Sequence, residues 1–337
     1  MKKIFTLLLL FVLAGPASAQ DPSFAQFFSS PLNVNPALTG NINSDWRMIA
    51  NFRDQWVGPA SPFVTSTISY DRKILQERLP GTAERRTFGV GGMLMYDHAM
   101  VGIQKSTYAS LNMAYSGLIA ENGESKQYVG VGFGAIYGRR FVDFSKLDFE
   151  EQFVGTGFNT NLPTGEVALS NMKPYFSSSA GLTYSIKNER SNFDAGIAAF
   201  HLNKPRQTFL EDEKQVIPIR KVAHANYEMF LNDWTFLNVN AIYQQQLHAK
   251  YYSVGAAIGY YTGGEEDVIL NGGLWYWSNN AIIPYVGLSY RDLQVGLSYD
   301  WTLSKLRHTN PRTKSFEVSI ILRGAKDPSG IIPCPWK

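Results

Sequence analysis

The residues of this chain best suited to chemistry do not gather into a reaction centre. Five histidines, His98, His201, His224, His248 and His308, are scattered with neither an H-E-x-x-H pattern nor a paired spacing, so no metal site is indicated. Gly130, Gly132 and Gly134 superficially resemble a nucleotide loop, but they lie in an alternating strand pattern with no helix after it, the wrong context for a dinucleotide turn. No G-x-S-x-G occurs. Acidic runs at 211–213 and 265–267 carry the oxygens that calcium takes, without EF-hand spacing, and are read as solvated turns. Arg47, Arg53, Asp71, Asp97, His224, Glu228, Asp300 and Glu317 fall on inward positions of candidate strands. Their spacing singles out no nucleophile, base and orienting group, so they are read as an internal polar network. No cofactor is implied, and the chain is read as non-enzymatic.

The elements that would position these side chains are strands. The opening MKKIFTLLLLFVLAGPASAQ has two lysines, a short apolar run and the small-residue pair Ala17 and Ala19, the order of a cleaved signal peptide covering 1–19. No later stretch is long and apolar enough to cross a bilayer as a helix, so a membrane role must come from strands. Composition agrees: 29 Gly, 18 Tyr, 21 Phe and 7 Trp stand beside only 18% charged residues, which suits sheet, tight turns and aromatic girdles. The net charge of +3 is too small to point to nucleic acid. Cys334 is the sole cysteine, so no intrachain disulfide can form.

From Trp46 onward, segments of about ten residues alternate apolar and polar between turn-rich stretches. In 46–56, Trp46, Met48, Ala50, Phe52 and Trp56 face one way, and Arg47, Asn51, Arg53 and Gln55 the other. The same test picks out 63–72, 87–97, 105–119, 127–137, 173–186, 192–202, 222–231, 234–244, 251–261, 267–277, 282–291, 293–302 and 315–323. About 14 strands result, an even number, and the expected fold is all-β: a transmembrane antiparallel barrel over 46–323. Inward glycines such as Gly130, Gly132 and Gly134 would leave interior room or let something pack close to the wall.

Loop lengths give an orientation. With β-barrels of this class the outer loops are long and the periplasmic turns short. The long connections 138–172, 203–221 and 304–314 share one end, and the short ones at 188–191, 232–233, 262–266 and 291–292 share the other. This predicts an integral outer-membrane protein with both termini periplasmic, including a tail at 324–337. The long basic connection 73–86 breaks the rule and is held as a candidate contact surface.

Between leader and barrel lies a pre-barrel segment, 20–45. Its Asn35-Pro36 and Thr39-Gly40 pairs are turn formers, and Phe24, Phe27 and Phe28 need burial, in the lumen as a plug or against a periplasmic partner. The block Asp21, Pro22, Ser23, Phe24, Ala25, Gln26, Phe27, Phe28, followed by Pro31, Leu32, Asn33, Val34, Asn35, Pro36, Ala37, Leu38, Thr39 and Gly40, resembles the start of the PorP/SprF family. Arg53, Gln55 and Trp56 at the end of strand one, the strand leading to Asp71, and the ending Ile332, Pro333, Cys334, Pro335 are similar too; the last two residues, Trp336 and Lys337, depart from it. The resemblance implies a non-enzymatic part in type IX secretion and gliding. It implies recognition of the C-terminal sorting domain of secreted proteins such as adhesins, and contact with other secretion components on the periplasmic side. Outer-membrane lipid is the remaining partner. The residues themselves leave an open porin or solute transporter, or a barrel enzyme, as other readings.

Overall fold

The computed structural model describes residues 21–57, 62–78, 84–99, 102–123, 125–165, 172–207, 215–263, 268–303 and 314–324. The leader, both acidic runs and the ending around Cys334 lie outside the described residues. All fourteen expected strands are present, as β1 Trp46–Val57, β2 Phe63–Arg78, β3 Glu84–Ala99, β4 Gln104–Asn122, β5 Ser125–Val142, β6 Tyr175–Lys187, β7 Ser191–Phe200, β8 Arg220–Phe230, β9 Thr235–Gln246, β10 Ala249–Tyr261, β11 Val268–Trp277, β12 Ala281–Tyr290, β13 Leu293–Thr302 and β14 Lys314–Arg323. Each pairs antiparallel with its sequence neighbour, and β1 pairs with β14 from Arg47↔Arg323 to Val57↔Lys314, which closes the barrel and leaves no edge.

Alternation decides which face each side chain takes. Along β13, Leu293, Leu297, Tyr299 and Trp301 are exposed while Gln294, Gly296, Ser298 and Asp300 are buried, the inverse of a soluble sheet and the pattern a lipid-facing wall requires. Leu111 and Phe176 are 75% and 71% exposed on the same outer surface. Aromatic pairs collect near both rims: Trp46 with Tyr70 (6.0 Å) at one, Tyr137 with Phe176 (5.2 Å) and Tyr252 with Tyr276 (6.0 Å) at the other. Inside, Ser, Thr, Asn, Gln and paired charges line the wall.

The structure corrects several boundaries. β2 to β5 run for 16 to 19 residues, so the supposed connection 73–86 is chiefly a strand pair, Lys73↔Gly89 through Arg78↔Glu84, that prolongs the wall. It was misread because Arg72, Lys73, Arg85 and Arg86 interrupt the apolar alternation where the wall leaves the lipid band. Arg220, expected in a loop, opens β8. Arg323 and Gly324 end beside Trp46, whereas Asp21 is bonded to His201, Arg220 and Gln246 at the opposite, long-loop end. From Asp21 the chain therefore runs from one mouth of the barrel through the lumen to the other before β1 begins.

Candidate functional site

Eight strands are enough for side chains to fill a barrel interior, whereas fourteen leave room. Residues 21–45 occupy that room as three short turns of helix: Phe27–Ser29, α1 Pro31–Val34, and Pro36–Leu38. Proline at the first position of the latter two starts each turn with its φ preset and no amide to satisfy.

At the long-loop mouth, the Asp21 carboxylate meets Arg220 Nε at 3.0 Å and His201 Nε2 at 2.9 Å, and its backbone N–H donates to Gln246 Oε1 at 2.9 Å. Burial opposes the ionised form, but Arg220 and His201 overcome it and hold the carboxyl well below the usual carboxylate range. The Arg220 guanidinium lies over the Phe200 ring, 4.1 Å from its centroid, and Nη2 donates to the backbone and side-chain oxygens of Asn33 at 3.1 and 3.2 Å. Pro22 lines a cavity beside this cluster.

Midway, the segment meets the seam of the barrel. Arg53 donates to Glu317 from Nη1 at 2.8 Å and to Asp300 from Nη2 at 2.5 Å, all three groups being almost wholly buried. The second acid is balanced by the segment itself: Ala25 and Gln26 donate their backbone N–H groups to the two Glu317 oxygens at 2.8 and 2.9 Å. Gln26 also donates through Nε2 to Ser298 Oγ (3.0 Å) and accepts from Ser319 Oγ (2.7 Å). One cation and two backbone amides thus serve both Glu317 oxygens and Oδ2 of Asp300, the kind of pairing a buried charged group needs to be tolerated. Phe24 and Phe27 are buried, and Phe28 packs 4.8 Å from Trp275 and 5.6 Å from Tyr285.

The Asn-Pro turn seats on glycines of the wall. Asn35 is fully buried; its Oδ1 accepts from Ala37 N–H at 2.8 Å, and its Nδ2 donates to the Leu182 and Ile197 carbonyls at 3.1 and 3.3 Å and meets His224 Nε2 at 3.0 Å. A Cβ on Gly132 would strike the backbone of Pro36 and Ala37, and one on Gly181 would strike the Asn35 side chain. The glycine row noted in β5 therefore admits the segment rather than leaving space. At the far mouth Gly40, with φ +70°, rests on Gly89 and donates its N–H to Asp71 Oδ2 at 2.8 Å, while Arg47 binds Asp71 through two hydrogen bonds of 3.0 and 3.1 Å.

Thus Asp21, Pro22, Phe24, Gln26, Phe27, Phe28, Asn33, Asn35, Pro36 and Gly40 are brought together inside the barrel. Arg53 joins them, and Gln55 touches Arg53 Nε at 3.4 Å. Trp56 does not: it sits at a β-bulge with φ 64°, its ring 5.3 Å from Phe63. Missed were Arg220, His201, Gln246, Gly89, Gly181 and Gly196, the last of which could carry no Cβ without striking His224 Nε2 and Asn35 Nδ2. Inward glycines in β6 and β7 were the one available signal, since they repeat the pattern already visible in β5. Two cavities beside the segment measure about 40 and 70 Å³, each with room for a few waters.

Comparisons with known proteins bear on this arrangement. Solved structures similar to it are the Pseudomonas putida toluene transporter TodX (9% identity, 87% of this chain and 93% of that one, TM-score 0.48) and a Pseudomonas aeruginosa FadL homologue (11%, 86% and 93%, 0.43). CdiB from Acinetobacter baumannii is also similar (9%, 82% of this chain, 0.41), and this chain spans 60% of its length. At such identities and scores these likenesses carry no functional argument. No curated protein matches. The family model for the type IX secretion system membrane protein PorP/SprF matches residues 17–322, from before the inner segment to the last strand. A closed fourteen-stranded outer-membrane barrel, filled by the block where the resemblance is densest, agrees with that match over nearly its whole length, and the chain belongs to the PorP/SprF family of type IX secretion system membrane proteins.

Proposed function

We propose that this protein is a non-enzymatic, closed scaffold of the type IX machinery that assists secretion or surface display of large proteins such as adhesins by recognising their C-terminal sorting domain. The observation that carries the reading is the inner segment, whose side chains and backbone satisfy the wall's buried charges at three levels, so that an open solute path is not what the lumen is built for. Residues 20–45 act as one unit, a plug and docking element. The long-loop end faces outward, where the structured loop after β5, pinned by Gln152 Nε2 donating to the Leu162 carbonyl at 2.9 Å, offers a surface for cargo. The prolonged β2 to β3 pair faces the periplasm, where its basic side chains meet other secretion components. Deleting 21–40 behind an intact signal tests the proposal. A heat-modifiable barrel should reach the outer membrane, cargo display should be lost, and ion conductance should rise. Normal cargo display by the deleted protein would sink the role given to the segment, and sugar uptake by liposomes carrying the intact protein would favour a porin instead.

A further inference from the structure

At the long-loop end, the outward rim of β8 to β10 is basic. Lys221 of β8 lies opposite Gln245 of β9, and Gln245 opposite Lys250 of β10, so the two lysines stand two strands, roughly 10 Å, apart. Both are exposed, and alternation turns them outward, away from the lumen side that Arg220 and Tyr251 take. Lys204, in the turn after β7, is exposed at the same mouth. Among the described residues no carboxylate reaches any of these three lysines; the acidic run 211–213 of the neighbouring connection lies outside the described residues. The opposite rim differs, for there Arg190 meets Asp233 at 2.8 Å and Lys126 meets Glu121 at 3.8 Å. One row below the lysines, towards the midplane, Ile197, Ala223, Tyr243 and Tyr252 lie side by side, and in the next row Ala195, Ala225, Ala241 and Val254. Because Ile197 and Tyr243 stand out from the wall, Ala223 floors a furrow that leads from Lys221 into a hollow of three alanines and ends at Tyr227.

We propose that this rim binds a phosphorylated glycolipid of the outer leaflet, with Lys221 and Lys250 on a headgroup phosphate and an acyl chain in the furrow below Lys221. Position identifies the class of ligand: outward side chains immediately above a row with two tyrosines lie at headgroup depth, where lipid is the neighbour. Charge then selects among lipids. A phosphate accepts hydrogen bonds from both ammonium groups and supplies the negative charge that no described side chain brings to them, whereas a zwitterionic headgroup sets its own cation against the lysines. The choice of leaflet rests on the outward orientation proposed for the long-loop end.

The test uses the whole mature protein, stripped of lipid in mild detergent and titrated with phosphorylated lipid A from the same cells, read by native mass spectrometry. Binding should weaken about fivefold in Lys221→Gln or Lys250→Gln and about thirtyfold in the double variant, and should fall with added salt. Ala223→Phe, which keeps the lysines but fills the furrow, should also bind lipid A more weakly, and Lys126→Gln at the other rim should bind as wild type. Should the double variant not give a heat-modifiable barrel, the wild type alone decides, since lipid A treated with phosphatase should bind far more weakly. Equal binding by the folded double variant, or of the dephosphorylated lipid, overturns the proposal and is the result expected if the run 211–213 neutralises the lysines. Equal affinity for phosphatidylglycerol overturns the choice of lipid, and displacement by millimolar inorganic phosphate would reduce the rim to an ion site. Separately, Lys250→Cys in a Cys334→Ser background should label from outside in intact cells. Failure to label would reject the orientation, and with it the leaflet, whatever the binding measured in detergent.

Discussion

Asn35→Ala removes one buried side chain and, with it, three contacts between the inner segment and the wall and one hydrogen bond within the segment. Loss of the cap on Ala37 N–H costs about 1 kcal/mol. The donations to Leu182 and Ile197 and the contact with His224 contribute about 1 kcal/mol each at most, since the two carbonyls belong to paired strand residues and stay partly satisfied. The docked state should therefore weaken by about 2 to 4 kcal/mol, which at 1.4 kcal/mol per decade raises the undocked population about 30- to 1000-fold. No wall residue changes, so the barrel itself should remain heat-modifiable. In planar bilayers the variant should open far more often than wild type. Asn35→Asp should open at least as often, because it keeps the acceptor for Ala37 but turns a carboxylate towards two carbonyl oxygens. If both variants fold and conduct as rarely as wild type, Asn35 does not hold the segment and the reasoning from its hydrogen bonds fails.

Gly181→Ala should reproduce this opening, since its methyl would fall on the Asn35 side chain, whereas Gly272→Ala, with nothing within 4 Å of the added carbon, should match wild type in the same recordings. Leu297→Arg places a charge on the lipid face at a cost of roughly 2 to 4 kcal/mol and should reduce the amount of folded barrel on unheated gels. Ser298→Arg should still assemble, but because Ser298 accepts from Gln26 it should increase conductance; equal assembly of the two would mean the strand's facing is misread. Asp21 has a depressed folded-state pKa, so its contribution to docking is complete above the unfolded value of about 3.9 and is lost as pH falls through the folded value. Opening should be flat from neutrality to about pH 4 and rise only below it, and Asp21→Asn should abolish that acid-dependent rise.

The strands were legible because alternation is a property of each short stretch by itself. Leu293 to Trp301 declares its two faces without reference to any other strand, and the same holds for Arg47 and Arg53 among the apolar residues of β1. Loop lengths likewise put the long connections at one end. The exception is instructive: between Lys73 and Arg86 the alternation loses its apolar half where the wall leaves the lipid, so the strands continue past the point where their pattern stops. The segment 21–45 was legible only as something that must bury its phenylalanines. It has no period, and lumen and partner were equal choices.

From its residue order alone this protein is a fourteen-stranded barrel with a polar interior and an aromatic block ahead of it. The tertiary structure decided everything that depends on closure. Arg53 is 247 residues from Asp300 and 264 from Glu317, and the three meet because β1 lies against β14 in one register, while Ala25 and Gln26 reach the same carboxylate only after the barrel exists to enclose them. The turn Asn35-Pro36-Ala37 finds its glycines on β5, β6 and β7 for the same reason. Side-chain alternation is set by the backbone two residues at a time, but which lumen groups share a level is set by strand register around the ring, and no local pattern carries that information.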